Sequence, residues 1–322
     1  MISDQWIRKI GLFIYNEDEA LDLSQFHVRF DVANADGEMP NNASIRVYNL
    51  ASDTVKKITT SSEYQNVSLN AGYEGGNYGC IFQGQIKQYR VGKESATDSY
   101  LDILAADGDY SYISSFLNES VSAGQTPTQA ISSISNAMGL PVNYGSLSSD
   151  LQHFPSIRGK VRFGMARAYM RNIAKTLDAG WSIQNGVIQV VDNKGCLEGI
   201  AVDMNSNHGL IGIPEQTDEG IRVKCLINSK LRIGGQIQID NKLVNQTMQN
   251  VSNNTSKNGP VQVPAQVPYN SYRQLQPLAP LSDDGVYRLF VVEHEGDTRG
   301  GPWYSNIIGL AFDSTANITL AP

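Results

Sequence analysis

Apolar side chains in this chain recur at every second position in short runs, a rhythm kept at both ends and abandoned in the middle. Phe26, Val28, Phe30 and Val32 alternate with His27, Arg29 and Asp31, and Ile45 and Val47 alternate with Ser44, Arg46 and Tyr48. Val67, Leu69 and Ala71 repeat the pattern, and residues 81–91 and 100–106 add two runs on either side of a turn near Gly92. Successive strand side chains point to opposite faces, so each run reads as a strand with one buried face. So many antiparallel candidates predict a barrel or sandwich, with a short helix over 52–58, capped by Ser52 or Asp53, filling one end.

The period changes near Gln125. Thr126-Pro127-Thr128-Gln129 supplies a cap, a proline at the first helical position and a Gln that completes a capping box. Ile131, Ile134, Ala137 and Met138 then share one helical face until Gly139-Leu140-Pro141 stops it. A second helix is expected over about 165–179, from the spacing of Ala166, Tyr169, Met170, Ile173, Ala174 and Leu177, with Gly180 closing its end. Asn185-Gly186 then signals a two-residue hairpin. Counting outward from it sets Ile183 opposite Ile188 and Trp181 opposite Val190, an apolar face that must pack on the helices.

Period two returns from Gly220 through Ile221, Val223, Cys225 and Ile227, then Ile237 and Ile239, then 287–294 and 305–312. The fold class expected is therefore mainly β with an α+β insert: a barrel or sandwich at 1–115 and a second β-rich region at 216–322, flanking a small helix-hairpin region at 116–215. Within the last region, residues 245–284 form a long stretch of Asn, Gln, Ser and Pro. Val263-Pro264 and Val267-Pro268 favour extended backbone there, and Tyr269, Tyr272 and Arg273 are candidate anchors on a neighbouring surface.

Composition excludes several functions. Charged residues are only 18 % of the chain, and the net charge of −7 argues against a protein that holds a nucleic-acid backbone by neutralising it. Cys80, Cys196 and Cys225 never approach a CxxC spacing and read as small buried hydrophobes, with no disulfide or thiolate metal site. Asp4, Arg8 and Lys9 break any leader-like apolar run, and no stretch reaches the roughly 20 apolar residues of a membrane span. Folding in a reducing cytoplasm is the expectation.

No catalytic constellation emerges. His27, His153, His208 and His294 are dispersed without a helical i, i+4 pair, and His27 falls on the solvent side of its strand, which suggests a surface or subunit contact. The glycines of 72–79 are in the wrong order for a phosphate loop and read as a turn. Asp107-Gly108-Asp109 lacks the alternation of a calcium loop and reads as the turn after a strand, as does Asp283-Asp284-Gly285. The densest polar run is His294-Glu295-Gly296-Asp297-Thr298-Arg299-Gly300-Gly301, followed by Trp303. It reads as a connection in which Asp297 and Arg299 pair or cap backbone groups. A hydrolase built on His294, Asp297 and Asp107 is one rival reading; a glycan-binding platform of Trp303, Tyr304 and Tyr73 is another.

Several segments together resemble the central baseplate hub proteins of contractile-tailed bacteriophages. They are Pro40-Asn41-Asn42-Ala43-Ser44-Ile45-Arg46-Val47-Tyr48-Asn49-Leu50, the run 67–73, Ile81-Phe82-Gln83-Gly84-Gln85-Ile86, Leu104-Ala105-Ala106-Asp107-Gly108-Asp109, and Gly296-Asp297-Thr298-Arg299-Gly300 with Trp303. The resemblance implies a homotrimer in which each chain gives two tail-tube-like barrels, so that three form a pseudo-sixfold ring. Such a ring joins a sixfold tail tube to a threefold spike and lets DNA pass, as part of a virion assembled in the host cytoplasm. The partners implied are the chain itself, the tube protein, the spike protein and other baseplate proteins, with no cofactor, metal or catalytic residue. Asp297, Arg299, Trp303, Tyr269 and Tyr272 are the candidate interface residues, and the insert is expected to brace the outside of the ring.

Overall fold

The computed structural model describes residues 7–60, 64–145, 155–199, 201–217, 219–246, 279, 281–282 and 284–311. In chain order the elements are β1 (Arg8–Tyr15), β2 (Ala20–Asp22), β3 (Val28–Ala35), β4 (Asn42–Tyr48), α1 (Ser52–Thr60), β5 (Asn66–Tyr73), β6 (Gly79–Lys93) and β7 (Ser99–Ala106). Next come α2 (Asp109–Ser114), β8 (Phe116–Val121), α3 (Pro127–Met138), β9 (Val142–Tyr144), β10 (Lys160–Met165), α4 (Ala166–Thr176), β11 (Ala179–Gln184) and β12 (Val187–Asp192). The last are β13 (Val202–Asp203), β14 (Leu210–Gln216), β15 (Ile221–Leu226), β16 (Gln236–Gln238), β17 (Asn245–Gln246), β18 (Val286–Asp297) and β19 (Trp303–Ala311).

The chain is mainly β, as its alternation requires. Closed barrels are not what the pairing makes. One 14-stranded sheet runs β17-β14-β15-β19-β18-β3-β4-β7-β6-β5-β1-β2, with β16 and β13 attached beside β18, and its two ends do not pair with each other. The join is antiparallel pairing of β18 with β3, from Val291 opposite Ala35 to Asp297 opposite Arg29. Both strands alternate, so either could find another partner; the choice between two barrels and one sheet is made by edges that lie far apart in sequence.

Three apolar cores sit on this frame. One gathers Leu12, Phe30, Ile45, Leu69, Phe82 and Ile103, and it also takes in Ile227 and Trp303 from the far end of the chain. Another collects Ile131, Ile134 and Met138 of α3, Met170 of α4, and Trp181, Ile183, Ile188 and Val190 of the β11–β12 hairpin. The last unites Val223, Cys225, Ile237, Tyr287, Leu289 and Ile307.

Local signals are met closely in the helical region. Thr126 caps α3 with the capping box complete, and Gly139 closes it in the left-handed region at φ 66°. Asn185 and Gly186 turn the hairpin with φ of 53° and 77°, which puts Trp181 opposite Val190 and Ile183 opposite Ile188. The end of α4 differs from expectation. It stops at Thr176, and Asp178, not Gly180, takes the left-handed conformation (φ 52°) that turns the chain into β11. Asx side chains tolerate that conformation better than most, so glycine is not required there. Of 245–284, only 245–246, 279, 281–282 and 284 are among the described residues, and Tyr269, Tyr272 and Arg273 lie outside them, as does His153.

Candidate interface and the contacts that frame it

The turn after β18 is held from three sides. Thr298 exchanges bonds with Val28, its N–H donating to the Val28 carbonyl (3.0 Å) and its hydroxyl accepting from the Val28 N–H (3.0 Å). Asp297 accepts through Oδ1 from the Arg299 N–H (2.8 Å) and faces His27 Nε2 at 2.8 Å. Arg8, at the start of β1, donates to the carbonyls of Asp297 (2.9 Å), Gly300 (3.1 Å) and Gly301 (3.3 Å), with its guanidinium over the Trp303 ring. Trp303 is buried, edge-on to Phe30 at 5.5 Å.

These placements divide the candidate residues. Asp297 acts as the backbone cap its position suggested, but its side-chain partner is His27, not Arg299. Trp303 is in the core and spends its surface inside one copy, so it presents no anchor to a neighbour. Arg299 is the exposed member of the set. His27 is half-buried, stacked on Tyr48 at 4.4 Å, and its contact is within the chain. Neither Arg8 nor His27 carries a local signal for these roles, because their partners lie about 270 to 290 residues away and arrive only when β18 pairs with β3.

A second junction pins the helical region to the sheet. Asp107, fully buried, accepts from the N–H groups of Asn185 and of Gly186 (2.8 Å) at the hairpin tip. Burial pushes its carboxyl up to about 6 against the pull of those two donors. Asn41 Nδ2 donates to the Ile183 carbonyl (3.1 Å) and to Gln184 Oε1 (2.7 Å), and Gln184 Nε2 returns a bond to the Ala35 carbonyl (2.9 Å). Asp36 meets Arg288 in a buried ion pair, and Arg288 also donates to the carbonyls of Asp192 (2.7 Å) and Gly195 (3.0 Å). Arg288 thereby ties β18 to β12 and to the residues that follow β3.

The chemistry available here is cohesive. His294 is buried with Nδ1 against the Ser305 hydroxyl at 2.7 Å, and desolvation pulls its imidazole down to about 4, which keeps it neutral. It stands three residues from Asp297 on the same strand, hence on the opposite face. Asp107, His294 and Asp297 are each engaged by a different partner and do not form an acid–base set. Tyr73 and Trp303 are buried, and Tyr304 lies under the Lys224 ammonium at 3.5 Å, so the three do not make an open stacking platform. A cleft of about 760 Å³ beside the hairpin tip is lined by amides such as Asn34 and Gln184 with Lys230 and Arg232. It contains no carboxylate or histidine among its described lining residues. Cys196 and Cys225 are buried as expected, whereas Cys80 is exposed. No cluster of three potential metal ligands occurs among the described residues, and no described helix is long and apolar enough to cross a membrane.

Comparison with known proteins places this architecture. The model of the family described as "Baseplate hub gp41" matches residues 13–250. Among solved structures, the 43 kDa tail protein of prophage MuSo2 from Shewanella oneidensis superposes with a TM-score of 0.54 at 7 % identity, over 93 % of this chain and 97 % of that one. A tail protein from Neisseria meningitidis MC58 superposes with a TM-score of 0.55 at 8 % identity, over 94 % and 96 % of the two chains. No curated protein matches the sequence.

Proposed function

This chain belongs to the baseplate hub gp41 family, and from that premise we propose that three copies close head to tail into a ring joining the tail tube to the spike. Membership makes it a structural component of the phage tail baseplate. The ring, its pseudo-sixfold symmetry, its seating between a tube protein and a trimeric spike, and its assembly in the host cytoplasm before genome ejection are our reading. In that reading residues 1–115 and 216–322 give the two tube-like units of each copy, 116–215 braces the outside, and Arg299, Tyr269 and Tyr272 contribute to contacts with neighbours.

One observation carries the ring. The row β6-β7-β4-β3-β18-β19-β15-β14 is incompletely paired at both ends. At one end β6 runs on to Lys93, but β5 pairs with it only as far as Gln85, so among the described residues the strand partner of 87–93 is β7. At the other, β17 covers β14 only at Glu215 and Gln216, leaving the outer edge of 210–214 without a strand among the described residues. Exposed apolar side chains stand on both segments, Val91 on one and Ile211 and Ile213 on the other. Open edges invite pairing, and two different edges on one chain make a heterologous contact that closes into a ring when the rotation fits.

The solvent face of that row supports passage of DNA. Arg29, Arg46, Asp102 and Arg90 lie side by side across β3, β4, β7 and β6. Asp102 accepts from Arg46 (2.6 Å) and Arg90 (2.6 Å), and despite burial that would raise it, the two guanidiniums hold its carboxyl below the usual range. Cations engaged in this way are poor at gripping phosphates, which suits a duplex that must slide.

Light scattering on the purified chain tests the ring. The expected mass is about 106 kDa for three chains of 35.2 kDa, with a central hole in negative stain. Ile213→Lys and Val91→Lys should each reduce it to folded monomers. A wild-type monomer at high concentration refutes the ring without touching family membership.

A further inference from the structure

The row of charged side chains on the solvent face of β3, β4, β7 and β6 is unbalanced, with three guanidiniums to one carboxylate. Arg29, Arg46, Asp102 and Arg90 are successive register partners, so they share a face and stand in one line. They line a depression of about 560 Å³ in which Leu104 is also exposed. With neighbouring strands about 4.8 Å apart, three spacings put the outer two guanidiniums roughly 14 Å from each other. Left to themselves, three cations in such a line would repel one another across the strands and would present their N–H groups to any chain of phosphates.

Asp102 takes up most of that capacity. Its two oxygens accept four bonds, from Arg46 Nε (2.6 Å) and Nη2 (3.2 Å) and from Arg90 Nε (3.1 Å) and Nη2 (2.6 Å). The Arg46 guanidinium is also fixed over the Tyr100 ring, 4.0 Å from its centroid. Enclosed between the two arginines, the Asp102 side chain is 8 % exposed, while Arg46 keeps 28 % and Arg90 64 %. Exposure of that order lets both guanidiniums turn to solvent once the carboxylate is gone. Glu94, the other carboxylate beside Arg46, comes only to 3.9 Å and is half-exposed. Arg29 is exposed and has no ion-pair partner among the described residues. Asp102 is therefore the group that decides how many guanidiniums of this line are free.

We infer that Asp102 is a positioning residue for DNA passage: by keeping Arg46 and Arg90 engaged, it leaves a passing duplex one free guanidinium in this line, Arg29, in place of three. Each further phosphate held adds to the grip and to its salt dependence, so a duplex met by one cation per copy slides more freely than one met by three. This rests on the reading of this face as the DNA path; it does not depend on how many copies form the ring.

The test measures binding of a short random-sequence duplex to the purified full-length chain by fluorescence anisotropy, between about 50 and about 200 mM salt. Asp102→Asn should bind at least tenfold more tightly than wild type at the lower salt, with a plot of log K against log salt steeper by about 2, one for each released guanidinium. Asp102→Ser should do the same and stands in for the Asn variant if that one does not fold. Asp102→Glu, which keeps the charge, should stay close to wild type, and Arg46→Gln with Arg90→Gln, added to Asp102→Asn, should abolish the gain. A neutral variant that is folded by circular dichroism and binds no more tightly overturns the role of Asp102; so does a Glu variant that binds like the Asn one, or a gain that survives loss of both arginines. The path is checked separately in tails carrying p-benzoylphenylalanine at position 104, irradiated during ejection. A DNA adduct is expected there; its absence in tails that eject overturns the path and with it any use for Asp102, whereas the binding assay overturns Asp102 alone.

Discussion

Titrating Asp107 offers a quantitative check on the junction between the helical hairpin and the sheet. Its carboxyl is 1 % exposed and rises from 3.8 to about 6 because burial penalises the ionised form more than the Asn185 and Gly186 donors favour it. The native state therefore binds this proton more tightly than the unfolded chain does. The contribution to stability is fully present below pH 3.8 and is lost as pH rises through about 6. A shift of that size corresponds to about 3 kcal/mol in all, of which about 2 kcal/mol is recovered on going from about pH 7.5 to about pH 4.5. Other carboxylates titrate in the same window, so the measurement is a difference. Urea unfolding of the wild type and of Asp107→Asn, at fixed protein concentration and several pH values, cancels the common background. Wild type should gain about 2 kcal/mol relative to the variant over that interval. Parallel profiles, or a gain by the variant, would refute the claim that this carboxyl is buried at a net cost.

Other contacts give equally direct expectations. Arg288→Met leaves Asp36 buried without its cation and should cost about 3–5 kcal/mol in denaturant unfolding, most of it restored by adding Asp36→Asn. Thr126→Ala removes the capping-box hydroxyl of α3 and should cost about 1 kcal/mol by the same assay. Gly186→Val places a branched side chain at φ 77° and should cost at least about 1 kcal/mol, whereas Asn185→Gly should be close to neutral. Arg8→Ala removes three bonds to carbonyls and the cation over Trp303; a loss of about 1–2 kcal/mol with a changed tryptophan emission is expected.

What could be read from the sequence was local. The alternation of Phe30, Ile45 and Ile103 marks core faces because a strand has only two faces to choose between, and Thr126 with Gln129 marks a helix start because the bonds close within one turn. Asn185-Gly186 fixes register as well as turn, since a one-residue slip would turn Ile183 and Trp181 to the wrong side. The end of α4 was misplaced because Asp178 and Gly180 can both leave a helix, and the apolar period alone does not rank them. Trp303 stands among the interface candidates through the family resemblance; nothing near it in the sequence shows that Arg8 and Phe30 enclose it.

Global pairing was the part that local patterns leave free. Two alternating regions are equally compatible with two closed barrels and with one sheet, because closure depends on which edge each terminal strand finds. Here β18 finds β3, and the groups that consolidate the choice are polar and distant in sequence: Asp36 with Arg288, His27 with Asp297, Arg8 with the 297–301 carbonyls. Apolar burial of Val292 and Phe30 tolerates several neighbours, whereas an ion pair closed off from water tolerates very few, so the buried pair discriminates between topologies even where it adds little net stability. A sheet held open in this way leaves the outer edges of 87–93 and 210–214 without a strand among the described residues. The polar seam at β3–β18 and the edges on which the proposed ring rests thus follow from the same pairing.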